Sequence, residues 1–245
     1  MYTLEDITAV ICNWQQTRFT LGAVNNLHKM YPMIRIIVVD DGSQDERGDF
    51  NTAYAREAYC KEERHDNSPF PDGTTTNLFN VIRTGKHVGH GSALDYGFYA
   101  ANTPLVLTMD NDIRIILPGL VEKYLEELNS DLDNIYAVGT TYSENDPRAD
   151  WIDPWFSLYQ RKPITDLHLT FSNFLFPVPG KTFHIGTGAF LHTMMTYDTL
   201  HRPHIWRAVH YPEPEAIPQL WHLKKFPTDK AGDKRYDMWQ EFIDG

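Results

Sequence analysis

Asp110-Asn111-Asp112 places two carboxylates two residues apart, directly after the apolar run at 105–109. Like charges that close repel, and each raises the other's pKa unless a positive charge lies between them. Either the pair is solvated in a turn or it holds a cation. Oxygen ligands at i and i+2 on a tight turn suit a hard divalent ion such as Mg²⁺ or Mn²⁺. A second acidic pair opens Asp40-Asp41-Gly42-Ser43, again after an apolar run, at 34–39. Those residues either cap backbone amides in a turn or contact a ligand. The stretch Gly85 to Gly91, with Lys86, His87, His90 and Gly89 inside it, is either a plain tight turn or a place where backbone amides approach a diphosphate at a helix N-terminus. Cys12-Asn13-Trp14-Gln15 closes the first apolar run and offers a ring that either packs or stacks on a planar base.

The elements that must position these residues alternate. Short apolar, β-branched runs at 7–12, 34–39, 78–83, 105–109 and 134–140 read as strands, and 19–31, 46–62, 92–101 and 118–129 read as helices. Strand–helix alternation predicts a parallel sheet with right-handed crossovers. In such sheets ligands bind outside the carboxyl ends of the strands. All four polar clusters sit at strand ends, so they fall along one rim. Residues 65–77 read as a surface loop. After residue 140 the pattern changes: 142–183 is rich in Pro, Trp and Phe with no clear period, a substrate-shaping insertion or a set of long loops. A strand–helix pair at 184–200 and strands at 204–210 and 219–226 follow, then a charged tail. The expected division is 1–140, 141–226 and a tail at 227–245.

Composition narrows the function. A chain of 245 residues, 42 % hydrophobic, can bury a substantial core. A net charge of −11 argues against a general nucleic-acid binder, whose affinity comes from neutralising phosphates. Two cysteines without a CxxC pair argue against a disulfide framework or cysteine-type zinc site. No leader pattern opens the sequence and no apolar run reaches the roughly 20 residues that span a bilayer, so the expected location is the cytoplasm.

Taken in order, the motifs resemble the inverting family 2 of the GT-A glycosyltransferases over residues 7–140. Asp40-Asp41-Gly42-Ser43-Gln44-Asp45 matches that family's second-strand motif in full, and Asp110-Asn111-Asp112 matches its Asp-x-Asp. Gly89-His90-Gly91-Ser92-Ala93-Leu94-Asp95 keeps the glycines and Ala93 of its helix-opening turn but puts Leu94-Asp95 where the family has Arg-Asn. At the first strand only the aromatic position, Trp14, is kept. The resemblance implies a GT-A α/β fold, with a mostly parallel central sheet flanked by helices. It also implies a nucleoside-diphosphate sugar donor, UDP-linked, and a Mn²⁺ or Mg²⁺ ion. Cys12, Asn13, Trp14, Asp40 or Asp41, Gly89, His90, Gly91, Asp110 and Asn111 would border the donor. Asp110, Asp112 and a C-terminal histidine, best matched by His222, would hold the metal. Asn111 would be a spacer whose amide supports the turn.

His184-Ile185-Gly186-Thr187-Gly188 resembles the stretch lining the sugar and acceptor. The family's Glu-Asp base pair is absent; Glu213 and Glu215 lie at about that distance, and Asp150, Asp153 and Asp198 are alternatives. Trp151, Trp155 and Phe156 either line a sugar cleft or pin a loop to the core. The altered Arg-Asn and Glu-Asp pairs keep a second reading open, a silent nucleotide-sugar-binding module. A sugar-phosphate nucleotidyltransferase ranks lower, because residues 12–18 lack its glycine turn. The acceptor could be a glycan, a protein, a small molecule or a modified nucleic-acid base.

Overall fold

β1 (Ile7–Asn13) is buried along its whole length, and its side chains divide between two cores. Ile7, Ala9 and Ile11 point into one apolar cluster and Val10 and Cys12 into the other, the two-residue period of a strand covered on both faces. The computed structural model describes residues 1–43, 79–141, 151–178, 181–196, 205–211 and 220–222. The helix expected at 46–62, the loop at 65–77 and the tail at 227–245 lie outside these residues.

α1 (Thr17–Met30) follows β1 and buries Ala23, Val24 and Leu27 in the first core. β2 (Arg35–Asp40) and β3 (Phe79–Arg83) extend the sheet on one side. α2 (His90–Ala100) covers the opposite face with Ala93, Leu94 and Phe98. β4 (Leu105–Met109) pairs parallel with β1. β5 (Ile113–Ile115) is a three-residue strand that the sequence reading did not anticipate, because it is too short to show a period. α3 (Leu120–Ser130) returns over the first core with Leu120, Val121, Tyr124, Leu125 and Leu128 buried at helical spacing.

β6 (Ile135–Thr141) comes next. The region expected to be irregular then supplies β7 (Ile152–Gln160), which lies in the middle of the sheet. The order is β10-β6-β7-β4-β1-β2-β3, and β7 runs antiparallel to both β6 and β4 while the other pairs are parallel. β7 escaped the sequence reading for two reasons. It is enclosed by strands and covered on both faces, so its burial shows no alternation. It also contains Pro154, which cannot donate to a ladder; the β6–β7 register shifts between Gly139 and Thr141, and Pro154 falls in that bulge. Trp155 and Phe156 are buried in the first core, so they pin this stretch rather than line a cleft.

α4 (Arg161–Asp166), the hairpin of β8 (Phe174–Val178) with β9 (Lys181–Ile185), and α5 (Ala189–Thr196) follow. β10 (Arg207–Tyr211) closes the far sheet edge, and β11 (Leu220–His222) pairs antiparallel with β5. Strands of the latter part of the chain thus share the sheet built by the first part. Among the described residues no helix is long and apolar enough to cross a membrane.

α2 lies close against β1 and β2, and Gly97 sets the distance. A Cβ there would fall 2.3 Å from Val10 Cγ1 and 3.0 Å from Val39 Cγ2. Gly97→Ala should therefore destabilise the fold by about 1–3 kcal/mol through overpacking, outweighing the roughly 1 kcal/mol gained in helix propensity. Chemical denaturation checks this; a midpoint equal to or above that of the parent would contradict it.

Candidate functional site

Parallel register brings the strand ends together. Asn13 pairs with Asp40, Ile11 with Met109, and Asp40 with Arg83. The cleft at this rim is lined by Cys12, Asn13, Trp14, Gln16, Asp41, His87, His90, Asp110, Asn111 and Asp112. Of the residues expected to border the donor, the structure gathers Cys12, Asn13, Trp14, Asp41, His90, Asp110 and Asn111 here, together with Asp112. Gln16 and His87 were not anticipated. His87 belonged to the glycine-rich stretch but gave no signal of its own, since its position depends on where Asp41 lies.

Asp40 forms the floor. It is fully buried, accepts from Asn13 Nδ2 at 3.0 Å and lies 3.2 Å from Arg83 Nε, close enough for an ion pair although not aligned as a hydrogen bond. Asn13 is equally buried, and its amide is committed to Asp40, to Ser43 Oγ and to Thr20. Asp40, expected at the donor, shapes the wall from behind, and Asn13 joins it to the cleft lining.

Asp41 acts differently. Its carboxylate accepts from the Val88 amide at 2.6 Å and the Gly89 amide at 3.1 Å, and its Oδ2 lies 2.8 Å from His87 Nδ1. Of the two readings of the glycine turn, the contacts agree with an internally closed turn: at this helix start the anion on the Val88 and Gly89 amides is Asp41 itself, held by N–H groups and the positive end of the helix. Gly42 fits beneath the same turn, with φ +67° and a hypothetical Cβ only 2.3 Å from the Lys86 carbonyl carbon. Gly91 is likewise a packing residue, since a Cβ there would fall 2.3 Å from Phe171 O.

Trp14 is half exposed, and its indole stacks on His87 with centroids 4.5 Å apart and planes 23° from parallel. Since Asp41 holds the imidazole, the aromatic platform is anchored at its base. Cys12 lies beneath with its thiol pushed well above the usual range, by burial first and then by Asp110, Asp41 and Asp95. It offers surface, not a thiolate.

Asp110 follows β4, and its amide donates to Trp155 O at 2.8 Å, continuing the β4–β7 ladder by one bond. His90 Nε2 is 3.4 Å from Asp110 Oδ1. Asn111 is more than a spacer: its Nδ2 donates to Thr20 Oγ1 on α1 at 3.1 Å. Arg114, fully buried, donates to Ile113 O at 2.5 Å and Phe19 O at 3.2 Å, and reaches Asn111 O at 3.5 Å. Arg114 was not anticipated from the sequence, where its one signal is a lone charge between two isoleucines. β11 places His222 opposite Ile113, one residue beyond Asp112.

Asp95, where the resembled family has a different pair, joins α2 to the start of the β8–β9 region. It accepts from Thr170 Oγ1, from Phe171 N at 2.7 Å and from Ser172 Oγ at 2.9 Å. Burial raises its carboxyl above the ordinary range, against the pull of those hydrogen bonds. Phe171 O then receives Gly188 N at 3.0 Å, which fixes the turn Gly186-Thr187-Gly188. Asp153 sits in the β7 bulge, two residues from the Trp155 carbonyl that holds Asp110. Glu213, Glu215, Asp150 and Asp198 lie outside the described residues.

Residues 8–191 match the glycosyl transferase family 2 model. No curated protein is matched by the sequence. Among solved structures the fold is similar to the mannosyltransferase PcManGT from Pyrobaculum calidifontis in complex with GDP-Man and Mn²⁺, with a TM-score of 0.56 and 15 % identity over 85 % of this chain and 55 % of that one. It is also similar to S. aureus TarS 1–349 in complex with UDP-GlcNAc, with a TM-score of 0.51 and 12 % identity over 94 % of this chain and 64 % of that one. The chain thus spans between about half and two thirds of those proteins' lengths. At such identities the structural likeness speaks for the fold, and the sequence match, which runs from β1 into α5, speaks for the family. This chain belongs to glycosyl transferase family 2.

Proposed function

We propose that this protein transfers a sugar from a nucleoside-diphosphate sugar, UDP-linked, to a hydroxyl acceptor, with inversion and with the help of a divalent cation. The observation that carries the reading is the position of Asp110-Asn111-Asp112: the turn lines the same cleft as the Trp14–His87 stack. An exposed ring next to a carboxylate turn suits a ligand with a planar base at one end and a polyanion at the other.

The residues fit a hard cation. Asp110 and Asp112 offer oxygen ligands on a tight turn, and Asp110 is partly open to the cleft. A pair of carboxylates suits an ion of the Mg²⁺ type, which is bound through one or two carboxylates plus substrate phosphates. When bound, the cation supplies positive charge where the leaving diphosphate gains negative charge. His222, on the strand that pairs with β5 beside this turn, is the histidine proposed as a further ligand.

The chain's own residues do the rest. Trp14 covers one face of the base and His87 backs the ring. Cys12 packs beneath. His90 orients the Asp110 carboxylate. On the acceptor side, a carboxylate must take the hydroxyl proton as the bond to the sugar forms. Asp153 is favoured among the described residues by the closeness of its bulge to the Asp110 turn, with Glu213 and Glu215 as the candidates from the following segment. The 1–140 stretch would then hold the donor, and 141–226 the sugar and acceptor.

Asp110→Ala and Asp112→Ala should each weaken Mn²⁺-dependent UDP binding more than about 100-fold, beyond what loss of an outer partner costs. Calorimetry reads this directly, and undiminished binding in both variants would sink the metal assignment. For the base, Asp153→Asn, Glu213→Gln and Glu215→Gln are compared in single-turnover transfer. The variant lacking the base should lose about 10²–10⁴ in rate with UDP affinity intact; three active variants would remove all three candidates.

A further inference from the structure

Thr20 lies in the first turn of α1, fully buried, and belongs to none of the motifs. Its hydroxyl stands between two residues of the rim. It donates to Asn13 Oδ1 at 2.7 Å and accepts from Asn111 Nδ2 at 3.1 Å. The direction of these bonds is fixed from the far end. Asp40 beside Arg83 is a carboxylate that can only accept, so the end of Asn13 facing it is the NH₂ group. The end of Asn13 facing Thr20 is then the carbonyl oxygen. Thr20 has one hydroxyl proton and must give it to that oxygen, so its lone pairs face Asn111. Asn111 in turn must present its NH₂ group. Thr20 could instead back-bond to Gln16 O, as hydroxyls in helices do, but that contact is longer at 3.3 Å and would leave the buried Asn13 oxygen without its donor.

We propose that Thr20 is a positioning residue for the metal turn. Through one directed chain, Asp40–Asn13–Thr20–Asn111, it transmits the fixed geometry of the β1–β2 floor to the turn that carries Asp110 and Asp112. Arg114 supports the same turn from its backbone side through Asn111 O and Phe19 O. The hydroxyl touches neither donor nor cation; it sets the orientation of the residue between the two carboxylates. This rests on the donor-site reading above.

The test measures UDP and GDP affinity by calorimetry with and without Mn²⁺ in the parent, Thr20→Ser and Thr20→Val, with melting temperatures recorded alongside. Thr20→Val is nearly isosteric but removes the hydroxyl, and should cut the Mn²⁺-dependent gain in affinity about fivefold, the worth of one buried neutral hydrogen bond, while metal-free affinity stays unchanged. Thr20→Ser should restore the gain. Equal losses with and without Mn²⁺, or no loss at all, would overturn the proposal. Should Thr20→Val fail to fold, Asn111→Ala, alone and combined with Thr20→Ser, carries the test. The loss expected is the same, and sensitivity to Mn²⁺ that Asn111→Ala leaves intact would overturn the proposal too. A parent protein whose affinity for both nucleotides ignores Mn²⁺ would overturn the donor-site reading and this inference with it, whereas a Mn²⁺-responsive parent and an equally responsive Thr20→Val would overturn this inference alone.

Discussion

Asn13 Nδ2 lies 3.0 Å from Asp40 Oδ1 in a place with no access to water, and the rim of the sheet is organised outward from that contact. A buried carboxylate is costly unless its oxygens are met, and here Asn13, the Ser43 amide and Arg83 meet them. The amide that meets one oxygen has its polarity fixed by doing so. From there the direction of each further bond follows, through Thr20 to Asn111. A low-dielectric setting makes a half-satisfied network expensive, so these residues hold one arrangement rather than several.

Asp41 solves the same problem with the opposite result. It occupies backbone amides that an anionic ligand could have used. The turn from His87 to Gly89 is closed by an internal carboxylate, and its free contribution to the cleft is the His87 ring beneath Trp14. On the function proposed above, the polyanionic end of the donor and its cation fall to the Asp110 turn, and the cleft runs from the Trp14 ring to that carboxylate turn.

Among the described residues, the latter part of the chain meets the rim through backbone contacts. β7 lies against β4 and its Trp155 carbonyl receives the Asp110 amide. Asp95 gathers the amides and hydroxyls of 170–172, and through Phe171 O the turn at Gly188. Gly91 permits that approach because it has no Cβ to meet Phe171 O. A departure from the resembled pattern at Leu94-Asp95 therefore has a structural reason: the carboxylate latches residues 170–172 onto α2.

The amino-acid sequence by itself determined the strands that are buried on both faces and end in polar residues, because a run such as ITAVIC or RIIVVD has few other stable fates. It also determined the family, through the order of Asp40-Asp41-Gly42-Ser43 and Asp110-Asn111-Asp112. It could not reveal β7, whose alternation is erased by burial on both sides and whose proline sits in a bulge, nor β5, too short for any period. Nor could it distinguish the parts played by neighbouring acids. Asp40 and Asp41 look alike in sequence; parallel register puts the first against Asn13 and Arg83 and the second against the amides of a turn more than forty residues away. Thr20 and Arg114 gave almost no signal, since a hydroxyl in a helix or a lone arginine in an apolar triplet acquires its role only from what tertiary packing sets beside it. Local pattern specifies which residues are buried and where strands stop; only the fold decides which polar atoms then have to satisfy one another.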